Sequence, residues 1–331
     1  MGKLAVVAAV SIALAGVTHA QNPVPQLPQA PEAERRVFRS SASIVALNVT
    51  VTNGRKLVTG LCASDFEVFE DGVQQTVSFF ESTNVPMDVI LLLDTSSSMR
   101  DRMPIVHDAA RGFMRMLRAG DRGAVVAFAE HVRVLQDLTS DRSAIESAIN
   151  STVANGSTAL NNAIYIALKQ FGLRAKSAGE VRRQAIAVLS DGEDTSSLIA
   201  FDDVVTLARK MGVNIYTIGL RSELQPAQQR TAAAQFSPSA YALKTLARET
   251  GAQSFFPSNV HELKTVYAAI SEELVAQYSI AYSPTNGGAD GRFRRIVVRV
   301  PTNPAFQPRT RTGYTADRVA PGIAMSPGLL R

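Results

Sequence analysis

The stretch "VILLLDTSSSM", residues 89–99, runs from five large apolar residues into an aspartate followed by four hydroxyl side chains. An unbroken apolar run is what a strand shows when both faces of its sheet are covered, as in parallel sheets. The polar end admits two readings. Asp, Ser and Thr are favoured helix N-caps, so the hydroxyls either start a helix or hold a ligand.

Working outward, strand and helix patterns alternate. Residues 103–118 place Val106, Ala110, Phe113 and Leu117 on one helical face. "GAVVAFA" and "VRVLQDL" read as strands, and 159–171 repeat the helical stripe with Leu160, Ile164, Ala167 and Phe171. "QAIAVLSDG" at 184–192 is a second buried strand, ending in Asp191. Helices near 202–211, 239–249 and 260–274 separate the strands "NIYTIGL" and "AQSFF". This alternation predicts a doubly wound, Rossmann-like α/β domain with a mostly parallel sheet over 85–274.

On either side the pattern is β. In 41–84, Val45, Leu47, Val49 and Val51 alternate with smaller or polar residues, and Asn53-Gly54 marks a turn. "DFEVFEDGVQQTVSFF" predicts two short strands joined at Asp71-Gly72, with Phe79 and Phe80 in the core. In 275–316, "QYSIAYSP" and "RIVVRV" alternate again, and "RTRTGYTA" supplies a further strand. Neither block has enough strands to stand alone. They are expected to pair into one small all-β domain with the α/β domain inserted; two separate β modules is the alternative.

The N-terminus, 1–20, has one lysine, an apolar run from Leu4 to Val17 and small residues before a cut after Ala20. It reads as a secretory signal peptide, and the alternative is an uncleaved anchor. Export to the periplasm or the extracellular space follows. Residues 21–40 hold four prolines and read as a linker, and 317–331 as a disordered tail. The formal charge of +5 falls to about +4 without Lys3. The runs "RFRR" (292–295) and "RTR" (309–311) interleave with strand residues, which favours solvated strand faces over nucleic-acid binding. Cys62 is the only cysteine, so no internal disulfide forms. It is expected to be a small buried residue at a strand start.

In open α/β sheets, ligands bind at the carboxyl ends of the strands. Asp94, Ser96 and Ser98 stand at such an end in the pattern Asp-x-Ser-x-Ser. Thr158, in "GSTAL", precedes a helix, and Asp191, in "SDGED", closes a central strand. Two carboxylates and three hydroxyls form a hard-oxygen set suited to Mg²⁺, Mn²⁺ or Ca²⁺, with Mg²⁺ favoured because it keeps several waters. Neutral hydroxyls leave such an ion electrophilic, so a partner's carboxylate could displace a water. His107, His131 and His261 show no metal-ligand spacing, and no Gly-x-Ser-x-Gly, Gly-x-Gly-x-x-Gly or P-loop pattern occurs.

With these residues, 87–272 resembles a von Willebrand factor type A domain, whose metal-ion-dependent adhesion site uses Asp-x-Ser-x-Ser, a distant Thr and a distant Asp. The resemblance implies Ser96, Ser98 and Thr158 as direct ligands, with Asp94, Asp191 or both acting through water. The β blocks resemble those of a bacterial group of exported proteins related to these domains, which extends the likeness to about 275 residues. The implied function is a non-enzymatic, metal-dependent binding module that captures an acidic side chain of a partner protein. A structural scaffold whose metal only braces the loops, and more remotely a metal-dependent hydrolase, are the alternatives.

Overall fold

A computed structural model of the chain describes residues 44–82, 85–175, 182–190, 194–220, 237–288 and 290–316. The leader 1–20, the linker 21–40 and the tail 317–331 lie outside these residues, and so does Asp191.

The chain enters through β1 (Val45–Asn53), β2 (Lys56–Leu57), β3 (Glu67–Glu70), β4 (Val73–Gln75) and β5 (Val77–Glu81). The α/β region follows: β6 (Met87–Asp94), α1 (Met103–Arg115), β7 (Arg122–Phe128), β8 (Val132–Thr139), α2 (Arg142–Asn150), α3 (Leu160–Ala175), β9 (Arg183–Ser190), α4 (Phe201–Met211), β10 (Asn214–Gly219), α5 (Pro238–Glu249), β11 (Ser254–Phe255) and α6 (Leu263–Ala276). It closes with β12 (Tyr278–Tyr282), β13 (Phe293–Arg299), β14 (Phe306–Arg309) and β15 (Gly313–Thr315).

The central sheet has the order β11-β10-β9-β6-β7-β8. Its pairs are parallel except β7 with β8. All of β6 is buried, and its alternate residues serve opposite layers. Val89, Leu91 and Leu93 pack with residues of α1, α2 and α6, while Ile90 and Leu92 pack with residues of α3, α4 and α5. That double coverage is why the run is apolar without alternation. Helix α2 has no counterpart among the expected elements. Its signal was Asp141, whose side chain accepts from the backbone N–H of Ser143 and Ala144 as an N-cap.

The flanking strands form two further sheets, β14-β1-β12-β5 and β15-β13-β3-β4. β1 pairs antiparallel with β12 through Val45–Val49 and with β14 through Thr50–Asn53. Val45, Leu47, Val49, Val68, Tyr278, Ile280, Ile296 and Val298 share the core of this β frame. Asp71 (φ 48°) and Gly72 (φ 85°) are both left-handed, as a tight hairpin between β3 and β4 requires. The second strand expected there is in fact two, since β4 pairs with β3 and β5 crosses to β12.

Four side chains depart from expectation. Phe79 is 41% exposed, although Phe80 packs against the core. Cys62 is exposed and caps a short 3₁₀ turn with Asp65. Arg294 and Arg311, expected on solvated strand faces, are buried. The Arg294 guanidinium donates to Gly288 O (3.1 Å) and pairs with Asp290 (3.1 Å), while Arg311 donates to the carbonyls of Arg209 and Ala46.

The α/β region joins the frame through buried polar contacts. Arg183, at the start of β9, donates to the carbonyl oxygens of Val85 (3.1 Å), Leu274 (2.9 Å) and Gln277 (3.3 Å). One guanidinium therefore holds both the entry to β6 and the exit from α6. Tyr216 donates to Glu273 (2.8 Å) and accepts from Gln277 (3.0 Å), and Glu273 also pairs with Arg309 of β14.

Candidate metal centre

The order of the central sheet reverses at β6, which has β9 on one side and β7 on the other. The carboxyl ends of β6 and β9 thus flank a topological switch point, where loops part and leave a crevice. Asp94 closes β6 and Ser190 closes β9.

Asp94 is fully buried. Its Oδ1 accepts from the backbone N–H of Ser96 (2.9 Å), and its Oδ2 accepts from Ser190 Oγ (2.7 Å). Thr95 is turned away from the crevice, and both its N–H (2.7 Å) and its Oγ1 (3.0 Å) donate to Phe128 O of β7. Met99, fully buried among α1 and α6, pins the far end of the loop.

The helix-cap reading fails at Ser96. Ser96 occupies the N-cap position of a 3₁₀ helix, Ser97–Arg102, yet its side chain makes no capping hydrogen bond. Instead Ser96 Oγ lies 3.0 Å from Ser98 Oγ.

Thr158 reaches the same place through backbone contacts. Asn155 N–H donates to Thr95 O (2.7 Å), and Ser97 N–H donates to Gly156 O (3.0 Å). The loop before α3 is thereby stitched to the loop after β6. Gly156 makes the turn with φ 82°, a left-handed conformation that glycine adopts without strain. On its other side, Thr158 O accepts from the N–H groups of Thr195 (2.9 Å) and Ser196 (3.0 Å), and Thr158 N–H donates to Thr195 Oγ1 (3.1 Å). Asp194 is a structural acid, because its two oxygens accept from Asn161 N–H (3.1 Å) and Ser197 N–H (3.0 Å).

Four of the five expected residues, Asp94, Ser96, Ser98 and Thr158, therefore belong to loops hydrogen-bonded to one another, with Asp191 following directly on Ser190. The supporting residues Ser190, Thr195 and Asn155 escaped the sequence reading. Each acts on a backbone or carboxylate partner across loops, which leaves no spacing signal.

The donor set fits a small hard cation. Adjacent ligands of an octahedron with metal–oxygen distances of 2.0–2.1 Å stand about 3 Å apart, and the Ser96 and Ser98 hydroxyls are 3.0 Å apart. Among the described residues, no group of three or more His, Cys, Asp or Glu side chains could hold a metal. His107 is occupied between helices, its Nε2 2.6 Å from Thr152 Oγ1.

Comparison with known proteins agrees with this architecture. The family model described as von Willebrand factor type A domain matches residues 88–269, just over half of the chain. An uncharacterized protein of Borreliella burgdorferi is 32% identical over 146 residues, 41% of each chain. A UPF0353 protein of Mycobacterium leprae is 26% identical over 226 residues, 64% of this chain and 66% of the relative. The chain thus spans from 41% to 66% of the length of these curated relatives. Among solved structures, a von Willebrand factor type A protein from Catenulispora acidiphila aligns with TM-score 0.47 and 16% identity, covering 85% of this chain and 65% of that one. Proximal thread matrix protein 1 from the mussel byssus, solved with a zinc-occupied MIDAS motif, aligns with TM-score 0.47 and 17% identity over 62% of this chain and 50% of that one. With its mostly parallel sheet, its switch-point crevice and the family match over 88–269, the chain belongs to the von Willebrand factor type A family.

Proposed function

We propose that the protein is a non-enzymatic, exported binding module in which Asp94, Ser96, Ser98, Thr158 and Asp191 hold a divalent cation, Mg²⁺ in preference to Mn²⁺ or Ca²⁺, and present it to a carboxylate of a partner protein. The observation that carries this reading is the Ser96–Ser98 hydroxyl pair, set 3.0 Å apart beside the buried Asp94, with the Ser96 side chain making no capping hydrogen bond. A bound divalent ion supplies an electrophilic position for a carboxylate oxygen. The chain's own residues do the rest. Ser98 is exposed and Ser96 buried, so the hydroxyl pair lines a path from solvent to the Asp94 carboxylate. Asp94 is oriented by Ser96 N–H and by Ser190, and neutral hydroxyls leave the ion's charge only partly offset.

Two observations separate this reading from its alternatives. The loops 94–98 and 155–158 are already cross-linked by their own backbone hydrogen bonds, which weakens a role in which the ion merely braces them. The loop segments 94–98, 155–158 and 190–197 contain no histidine, cysteine or lysine, which leaves only their own carboxylates as general bases, and of these Asp194 already accepts from two backbone N–H groups. Export rests on the leader at 1–20, and among the described residues no helix is long and apolar enough to cross a membrane.

The test is capture of partners from an envelope extract by immobilised protein, with Mg²⁺ or with EDTA, and with Ser98→Ala. Capture that needs Mg²⁺ and is lost in the variant is the expected result. Capture indifferent to both would overturn the proposal, and chelation that lowers the melting temperature while leaving capture intact would favour the scaffold.

A further inference from the structure

Beside the metal centre lies a cavity of about 480 Å³ between α3, α4 and the start of α5. Its walls are apolar, built from Leu160, Ile164, Phe201, Leu243 and Leu246, and its rim carries Asn161, Asp194, Ser237 and Ser239. The volume lies in the range of ordinary ligand pockets. Thr195 also lines it, and the same residue exchanges hydrogen bonds with the backbone of Thr158. One residue therefore separates an expected metal ligand from an apolar chamber.

A large apolar residue stands exposed three positions after Thr195. Leu198 is 94% exposed, and its position is fixed, because the N–H groups of Leu198 and Ile199 both donate to Asn162 Oδ1 at 3.1 Å. In the loop before α3, Val153 is 71% exposed, two residues before the Asn155 that ties that loop to Thr95. Large apolar side chains exposed beside a pocket mark interaction surfaces.

We infer that the partner recognised at this site presents an acidic residue flanked within a few positions by a large apolar side chain, the carboxylate going to the metal centre and the apolar group crossing Leu198 into the chamber. This rests on the metal-dependent reading above and narrows it to a class of peptide. Charge and polarity together narrow this occupant, because the Asp194 carboxylate repels a second acidic residue on that side and the walls of Leu160, Ile164, Phe201, Leu243 and Leu246 take an apolar side chain without the desolvation cost of a charged one. An extended chain advances about 3.3 Å per residue, so neighbouring side chains of one short segment can reach both places.

The probe is a library of short displayed peptides with one fixed Asp and randomised neighbours, selected on the full chain in millimolar Mg²⁺. Metal binding is measured separately by titration calorimetry. Retained peptides are expected to be enriched in Leu, Ile, Met or Phe near the Asp. A retained peptide should lose about tenfold or more in affinity when its apolar residue is replaced by Gly, and likewise on Ala242→Phe, which fills the chamber. Leu198→Ser, at a fully solvated position, should weaken the same peptides without touching the fold. Retention that needs Mg²⁺ but shows no apolar preference, or ignores both variants, overturns this inference and leaves the metal reading standing. Retention of apolar sequences indifferent to EDTA overturns both. No retention by a chain that binds Mg²⁺ overturns the inference alone.

Discussion

Asp94 tests whether the crevice is a metal site or only a knot of loops, provided the substitution is chosen with its hydrogen bonds in view. Its two oxygens accept from Ser96 N–H at 2.9 Å and Ser190 Oγ at 2.7 Å, and both donors are buried. Asp94→Ala removes both acceptors at once. At about 1–3 kcal/mol for each buried group left without its partner, the variant should lose roughly 2–6 kcal/mol before any metal is considered. That is a large part of a typical domain's 5–15 kcal/mol. Loss of partner capture by Asp94→Ala would therefore be ambiguous. Asp94→Asn keeps an oxygen for Ser96 N–H, and the Ser190 hydroxyl can turn to accept from the new amide, so it should cost about 1 kcal/mol. It nonetheless removes the charge that a divalent ion needs. In urea titrations with EDTA, the order of stability should be wild type, then Asn, then Ala. Adding Mg²⁺ to about a hundredfold over its dissociation constant should stabilise wild type by about 2.7 kcal/mol, a rise of about 5 °C in Tm at this size. The Asn variant should not move. An alanine variant as stable as wild type would refute the hydrogen-bond reasoning, and an Asn variant that shifts as far as wild type would refute the metal assignment.

Three further outcomes follow from the packing. Gly251→Ala should cost about 2–5 kcal/mol in chemical denaturation, since φ is 76° and a Cβ there would sit 2.4 Å from the backbone carbon of Thr310; a loss under 0.5 kcal/mol would show that the 309–312 segment yields easily. Arg183→Met should cost roughly 3 kcal/mol by leaving the carbonyls of Val85, Leu274 and Gln277 without their donor, and proteolysis should then cut near residues 83–86 or 276–277 while the α/β region survives. Burial raises the Glu249 carboxyl, but hydrogen bonds from Thr312 and Arg209 outweigh it, and its pKa ends below the ordinary value. A depressed folded value contributes stability above the unfolded carboxyl range that is lost as pH falls through the folded value, so wild type should lose more stability than Glu249→Gln between about pH 5 and about pH 3. Equal acid sensitivity of the two proteins would contradict this.

Much of this architecture is legible in the residues because the α/β region obeys simple periodicities. The runs at 89–93 and 185–189 are apolar throughout, and the stripes Val106-Ala110-Phe113-Leu117 and Leu263-Tyr267-Ile270-Leu274 are buried as one face each. What escaped is long-range or brief. The break at Thr76 that sends β5 to another sheet depends on a partner, Tyr282, about two hundred residues away. The inward guanidiniums of Arg294 and Arg311 read as solvated because sequence shows a charge and not the carbonyls that meet it. At the candidate centre, the Asp-x-Ser-x-Ser pattern and Thr158 were visible as motifs. The stitching by Asn155, Ser190 and Thr195 is made by backbone and hydroxyl groups that many loops possess.

The pairing of β1 with β12 sets a schedule for making this molecule. Val45–Val49 leaves the ribosome first, yet its partner Tyr278–Tyr282 follows some 230 residues later. At 5–20 residues per second that interval is roughly 10–50 s. Throughout it, a strand with four apolar side chains on one face has no sheet to join. The α/β region, whose strands find partners within itself, can assemble its sheet during the wait, but α6 (Leu263–Ala276) emerges only just before β12. Biogenesis should therefore pass through a state with a central sheet still lacking α6 and a sticky, unpaired leading strand. A chaperone that shields extended apolar segments would act on that state, and raising its level should improve the yield of folded protein.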